Sequence, residues 1–278
     1  MSQNESVNND QQVTKAESHH QDRPIQPSWL KDKSDIVREA NERLTPLTRR
    51  AFGKHLLGLG SLTLLTGCEL TDDASVQILL TAMSQLNDRA QAALFSPTQL
   101  APTYSKSQIK HPFPFNAFYG LDEVRQVSER GFKLVIGGLV ADKRSWTLEQ
   151  LRLLPQTSQI TRHICVEGWS AIGEWGGVPF ATFLQRIGAD TTAKYVGFRC
   201  ADDYYTSIDM PTALHPQTLL ALTFEDKTLP AMYGFPMKIR IPTKLGYKNP
   251  KHVVEIIVSN AYLGGYWEDQ GYNWFGGS

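Results

Sequence analysis

From residue 132 onward the chain is cut into short apolar runs, each stopped by Gly, Pro or Asp, and this punctuation confines it to a sheet-rich fold. Strand-like runs fall at 132–136, 160–166, 195–200, 205–209, 219–224, 237–241 and 253–258. Most are rich in β-branched and aromatic residues, which suit a pleated, half-buried surface. Only 147–154 and 179–187 read as helices between them, too few for regular βαβ winding. The expected class is therefore α+β, mostly β. After the run at 160–166, Gly168, Gly173, Gly176 and Gly177 are expected to lead the chain into the helix at 179–187. A longer amphipathic helix is predicted over 74–95, where Val76, Leu79, Leu80, Met83, Leu86, Ala90 and Leu94 recur at helical spacing before Ser96-Pro97.

The amino-terminal part has a different character. Residues 1–48 are polar, with few aromatics and no apolar period, and read as a disordered leader. Within 49–68, Arg49-Arg50 precedes an apolar run of about ten residues, far short of the roughly twenty that span a bilayer. The run closes on Leu65-Thr66-Gly67-Cys68, so the segment reads as a twin-arginine export signal ending in a lipobox. Residues 69–104 are expected to form an accessory helix and a proline-rich linker, and 105–278 a single catalytic domain. Membrane attachment would come from a lipid on Cys68. The 28 basic residues balance 28 acidic ones and give no reason to expect a nucleic-acid partner.

Cys165 is the residue most suited to chemistry. It ends a predicted strand, and a soft sulfur ligand suits a redox-active transition metal. Arg162 and His163 beside it are expected to lower its pKa and attract an anion, and Glu167 to orient water or handle protons. On its own the cysteine is better read as an inert buried thiol, one of the commonest fates of this residue. In an oxidising compartment it also fits a disulfide with Cys200. A second constellation, 238–252, carries Lys238, Arg240, Lys244, Lys248 and Lys251 among Gly and Pro. Such a segment can cradle a phosphate, or it can be a solvated basic loop. The chain has neither a Walker A motif nor a GxGxxG fingerprint following a strand.

Cys165-Val166-Glu167-Gly168-Trp169-Ser170, then Trp175-Gly176-Gly177-Val178-Pro179, then Gly234-Phe235-Pro236-Met237-Lys238 and Gly246-Tyr247-Lys248-Asn249 together resemble the molybdopterin domain of the sulfite oxidase family. The likeness covers about 105–278 and is strongest toward the branch of bacterial periplasmic methionine sulfoxide reductases and related exported enzymes. It implies a sulfite-oxidase-type molybdopterin-binding domain with Mo-molybdopterin as cofactor and Cys165 as the thiolate on the metal. It also implies cofactor contacts from Asn116, Tyr119 and Gly120 in the segment closing over the pterin, and from Asn249, Pro250 and Lys251 at the phosphate. Cys200 stands where that branch has threonine, Tyr233 where it has asparagine, and Lys238 where it has arginine.

The implied reaction is transfer of an oxygen atom to or from a small molecule such as a sulfoxide or other S- or N-oxide, with Cys165, Glu167 and Arg162 as catalytic residues. The small-molecule oxygen donor or acceptor is one partner. No second cofactor motif is present in the sequence, so electrons are expected to pass through another partner, a membrane haem protein or periplasmic cytochrome. A cofactor inserted before export suits the twin-arginine route, which carries folded proteins, and places the enzyme in the periplasm. With the chain ending at Ser278, neither the immunoglobulin-like domain nor the cytochrome b5 domain of the sulfite oxidases is expected. The competing reading is a non-catalytic exported lipoprotein that binds a phosphorylated ligand through the basic segment.

Overall fold

The computed structural model describes residues 74–278; the export signal and lipobox lie outside the described residues. Among the described residues nine strands form two sheets. In the first, β2 (Thr157–Ile164), β3 (Ser170–Pro179), β6 (Leu219–Phe224) and β7 (Lys227–Thr228) are neighbours in that order, and β8 (Lys238–Arg240) pairs with β6. In the second, the order is β1 (Val135–Gly138), β9 (Val253–Ser259), β4 (Tyr195–Cys200) and β5 (Tyr205–Asp209). Every pairing is antiparallel except β1 with β9. The fold is thus α+β and mostly β, as the punctuated apolar runs require.

One large core joins Val178, Leu220, Leu222 and Ile239 of the first sheet to Val196, Phe198, Ile208, Ile256 and Val258 of the second. The short helices α2 (Leu148–Arg152) and α3 (Phe180–Arg186) close it with Leu148, Leu151, Phe180, Phe183 and Leu184. Thr147 caps α2 in a capping box with Gln150, each side chain satisfying a backbone N–H that the first turn leaves open. Asp209 does the same for α4 (Met210–Ala213) by accepting from the N–H of Thr212. A second, aromatic core on the first sheet holds Phe113, Ala171, Trp175, Ala221, Phe224 and Leu229. Helix α1 (Ala74–Leu94) is tied to the carboxy-terminal end, where Asp88 and Gln91 accept from the backbone N–H groups of Phe275 and Gly277.

The stretch after Cys165 corrects the sequence reading. It does not simply lead into a helix but forms β3, ten residues paired with β2 over Ser170–Gly177 and with β6 over Trp175–Pro179. The glycines misled because glycine is depleted in ordinary strands. Here Gly177 sits at a register shift against β6, and an added Cβ would lie 1.9 Å from the carbonyl oxygen of Leu220. The strand therefore needs glycine for close backbone approach, not for flexibility.

Candidate active site

β2 and β3 form a hairpin, and the site begins at its tip. Cys165 N–H donates to the carbonyl of Trp169 and Gly168 N–H to the carbonyl of Cys165, with Gly168 at φ +90°. This tight loop carries the cysteine just past the strand end, on the same face as Thr161 and His163 by the two-residue period of a strand. Cys165 is 8% exposed. Its Sγ lies 3.6 Å from Oε2 of Glu167, which accepts a 2.8 Å bond from the indole N–H of Trp169.

The hairpin tip forms one wall of a cleft. Asn116, Ala117 and Phe118 face it, Asp202 and Tyr204 follow β4, and Gly246, Tyr247, Asn249, Pro250, Lys251 and Trp267 complete the lining. Of the residues expected from sequence, the cleft brings together Cys165, Glu167, Asn116, Asn249, Pro250 and Lys251. The segment carrying Asn116 is pinned from below. Lys251 Nζ donates to the carbonyl of Asn116 at 2.6 Å and to that of Met232 at 3.0 Å, and Tyr119 donates its hydroxyl to Asp202 at 2.8 Å.

Beneath the cleft is a buried basic cluster. Lys238 and Arg240 project from β8 and Lys251 from the start of β9's approach, at 1%, 0% and 7% exposure. Burial pushes Lys238 well down, with Lys251 and Arg240 adding to the effect, while it pushes Lys251 down to about 8 and Arg240 to about 9. Among the described residues no carboxylate forms an ion pair with any of the three. Arg240 is braced by neutral acceptors, Oδ1 of Asn249, Oγ1 of Thr161 and the carbonyl of Arg162. Lys238 Nζ lies 4.9 Å from the centre of the Trp175 ring.

Unpaired buried cations cost several kcal/mol each, so the cluster could hold an anion. Orphaned polar atoms gather in the same place: both ring nitrogens of His163, Nε2 of His252 and Nε of Arg240. Each orphan costs about 1–3 kcal/mol unless a ligand satisfies it. The donor set fits a phosphate-bearing cofactor. No group of three His, Cys, Asp or Glu among the described residues could hold a metal, so a metal bound at Cys165 would need further ligands from that cofactor.

The structure corrects several expectations. The basic segment is not a solvated loop, because all five of its cations are buried. It is also divided: Lys244 lies over the Phe275 ring, 3.6 Å from Asp209, and Lys248 is paired with Glu268 and the Ser207 carbonyl. Arg162 is exposed on the opposite face of β2, over the Tyr104 ring, because successive strand residues alternate faces. Neither it nor His163 lowers the Cys165 pKa. Burial raises the thiol, and His163 is held neutral by its own burial and by Lys238, Arg240 and Lys251.

Cys165 and Cys200 are both free thiols, which removes the disulfide reading. Cys200 packs in the main core, and burial raises its pKa well above the usual range. Tyr233 sits in the aromatic cluster around Trp175 and donates to the carbonyl of Phe113. Gly120 is exposed, its N–H bonded to the Glu123 carboxylate. Asp202, Tyr204 and Trp267 were not anticipated; they come from loops whose meeting depends on the sheet order and carries no local sequence signal.

The family profile described as "Oxidoreductase molybdopterin binding domain" matches residues 122–267. A protein of Azospira oryzae with the provisional name protein-methionine-sulfoxide reductase subunit YedZ1 is 60% identical over 256 residues, covering 92% of this chain and 98% of that protein. The protein-methionine-sulfoxide reductase catalytic subunit MsrP of Ralstonia nicotianae is 29% identical over 60% of each chain. MsrP of Xanthomonas axonopodis is 36% identical over 44% of this chain and 42% of its own. The matches to these two thus span about three fifths and two fifths of their length.

Proposed function

Since this chain belongs to the oxidoreductase molybdopterin-binding domain family and is a molybdenum-dependent oxidoreductase with molybdopterin as cofactor, we propose that it reduces sulfoxides, with methionine sulfoxide as the substrate class. The observation that carries the reading is a single buried thiol at the wall of a cleft, together with three buried cations that form no ion pair with a carboxylate among the described residues. The relatives' names, protein-methionine-sulfoxide reductase subunit and catalytic subunit, support the direction of the reaction. The non-catalytic lipoprotein reading has no support from the family.

Cys165 would supply the thiolate to the metal, and Lys238, Arg240 and Lys251 would neutralise the phosphate, with the backbone around Asn249 and Pro250 beside it. When bound, the cofactor supplies two-electron oxygen-atom transfer. Overall, a sulfoxide, two electrons and two protons give a thioether and water. The chain's own part is to orient and to move protons. Glu167 Oε2 is the nearest acceptor to the Cys165 sulfur, and the Trp169 indole fixes it there, so it is placed to take the thiol proton when a metal binds and to hold a proton near the reacting oxygen afterwards. Phe118, Tyr204, Tyr247 and Trp267 give the cleft an aromatic lining that limits water.

The cell context is part of the same proposal. Arg49-Arg50 and Cys68 support twin-arginine export to the periplasm and a lipid anchor, with electrons delivered by a membrane haem protein or periplasmic cytochrome. Elemental analysis and pterin release from the native protein, combined with sulfoxide reduction by a reduced viologen dye, test the reading. The expected result is about one molybdenum and one pterin per chain, with dye oxidation that depends on added sulfoxide. A loaded protein inert toward methionine sulfoxide would sink the substrate assignment.

A further inference from the structure

His163 is 0% exposed, yet neither ring nitrogen has a hydrogen-bond partner. A buried imidazole always has at least one N–H to donate, so leaving both positions empty is unfavourable and calls for a ligand. Its surroundings say which kind. The ring lies on the Cys165 face of β2, two residues before the thiol, and packs against Trp169 and Phe113 with centroids 5.7 and 6.1 Å away. Arg240 reaches the same stretch of β2, donating to Oγ1 of Thr161 at 3.1 Å and to the carbonyl of Arg162 at 2.6 Å. Its Nε2 edge points at Gly246, where an added Cβ would stand 2.8 Å from that nitrogen, and Gly246 lines the cleft. Glycine at 246 therefore leaves the imidazole edge room that any side chain there would take, with the ring itself fully buried behind the cleft wall.

We propose that His163 is a contact of the bound cofactor, its imidazole donating one ring N–H to the anionic group that Lys238, Arg240 and Lys251 neutralise. This rests on the molybdopterin reading above and adds a fourth, uncharged donor to its phosphate end. The imidazole supplies direction where the lysines supply charge. Packing alone does not account for it, because an apolar ring would fill the same space without leaving two polar atoms unpaired.

The test uses the full chain produced in two hosts, one that makes molybdopterin and one that does not. Wild type is compared with His163→Leu and His163→Gln. Molybdenum content, released pterin and melting temperature are measured for each. In the cofactor-free host His163→Leu should melt at or above wild type, since the orphaned nitrogens are gone. In the competent host the same variant should lose pterin at least about fivefold, and His163→Gln, whose amide can still donate, should keep most of it. Loaded wild type with equally loaded His163→Leu would overturn the contact and leave the molybdopterin reading standing. Equal loss in both variants together with an equal drop in cofactor-free melting temperature would make His163 a packing residue and overturn it as well. Wild type without pterin in the competent host would overturn the reading and the contact together.

Discussion

The indole N–H of Trp169 donates to Oε2 of Glu167 at 2.8 Å, across the hairpin tip that carries Cys165. The same oxygen is the one 3.6 Å from the cysteine sulfur. Trp169 thus fixes a carboxylate that is otherwise exposed and free to rotate. Trp169→Phe keeps the ring and removes the donor. It should retain molybdenum and pterin at wild-type levels and lower kcat for sulfoxide reduction about tenfold, since small displacements of a proton-handling group are costly. Glu167→Gln should fall further, and the double variant should be no worse than Glu167→Gln alone. Additive losses would show that the two residues act separately.

Cys165→Ser tests the thiolate. Serine is nearly isosteric, and its hydroxyl can keep the contact to Oε2 of Glu167, so the cofactor-free protein should melt within about 3 °C of wild type. Turnover should fall more than about a hundredfold, beyond the range seen for residues that merely support a ligand. The signal of the half-reduced metal should change in electron paramagnetic resonance. A variant with the wild-type resonance and full turnover would remove Cys165 from the metal.

Lys238 and Arg240 are neighbours but one on β8, and their roles differ. Arg240 is held by three neutral acceptors, so Arg240→Lys leaves the Thr161 hydroxyl short of a donor and removes one of the two donors to Oδ1 of Asn249, and it should destabilise even the cofactor-free protein by about 2–4 kcal/mol. Lys238 Nζ lies over the Trp175 face and forms no ion pair among the described residues. Lys238→Met should therefore leave the cofactor-free protein as stable as wild type or more so and lower pterin occupancy, whereas Lys238→Arg should retain it. Chemical denaturation and pterin release, measured side by side, separate brace from ligand. Identical behaviour of the two positions would contradict the distinction.

How much of this was legible depended on whether the signal was local. The runs at 195–200, 205–209 and 219–224 became β4, β5 and β6 with unchanged bounds, because their apolar residues and turn punctuation are contained within each run. β3 was missed, since Gly177 is required by a backbone on another strand. In the site, Cys165, Glu167 and the basic residues could be singled out by type. That Lys244 and Lys248 turn away to Asp209 and Glu268 could not, because the separation arises only when the segment passes through the core. Arg162 shows the opposite failure: adjacency along β2 places it on the wrong face.

The depressed lysines give a pH signature in the cofactor-free protein. Lys251 ordinarily titrates at 10.5 and is pushed down to about 8 by burial, with Asp202 opposing. Below about pH 8 the ammonium is charged in both folded and unfolded chains, and the folded state bears the full penalty. Between pH 8 and 10.5 the folded chain has released the proton and the unfolded chain still holds it. The unfolded state then binds more protons, so stability rises with pH across that window. The shift corresponds to something of order 3 kcal/mol. Lys244, pushed down to about 7 by burial, acts in the same direction but is common to wild type and a Lys251→Met variant. Wild type should therefore gain on Lys251→Met as pH is raised from 7.5 to 9.5, read as the difference between their denaturation midpoints. Loading with cofactor should flatten the trend, because a bound anion restores the charged form of Lys251. A difference between the two proteins that stayed constant over this range would show that Lys251 is not strained by its burial, and the basic cluster would lose its claim to be built for an anion.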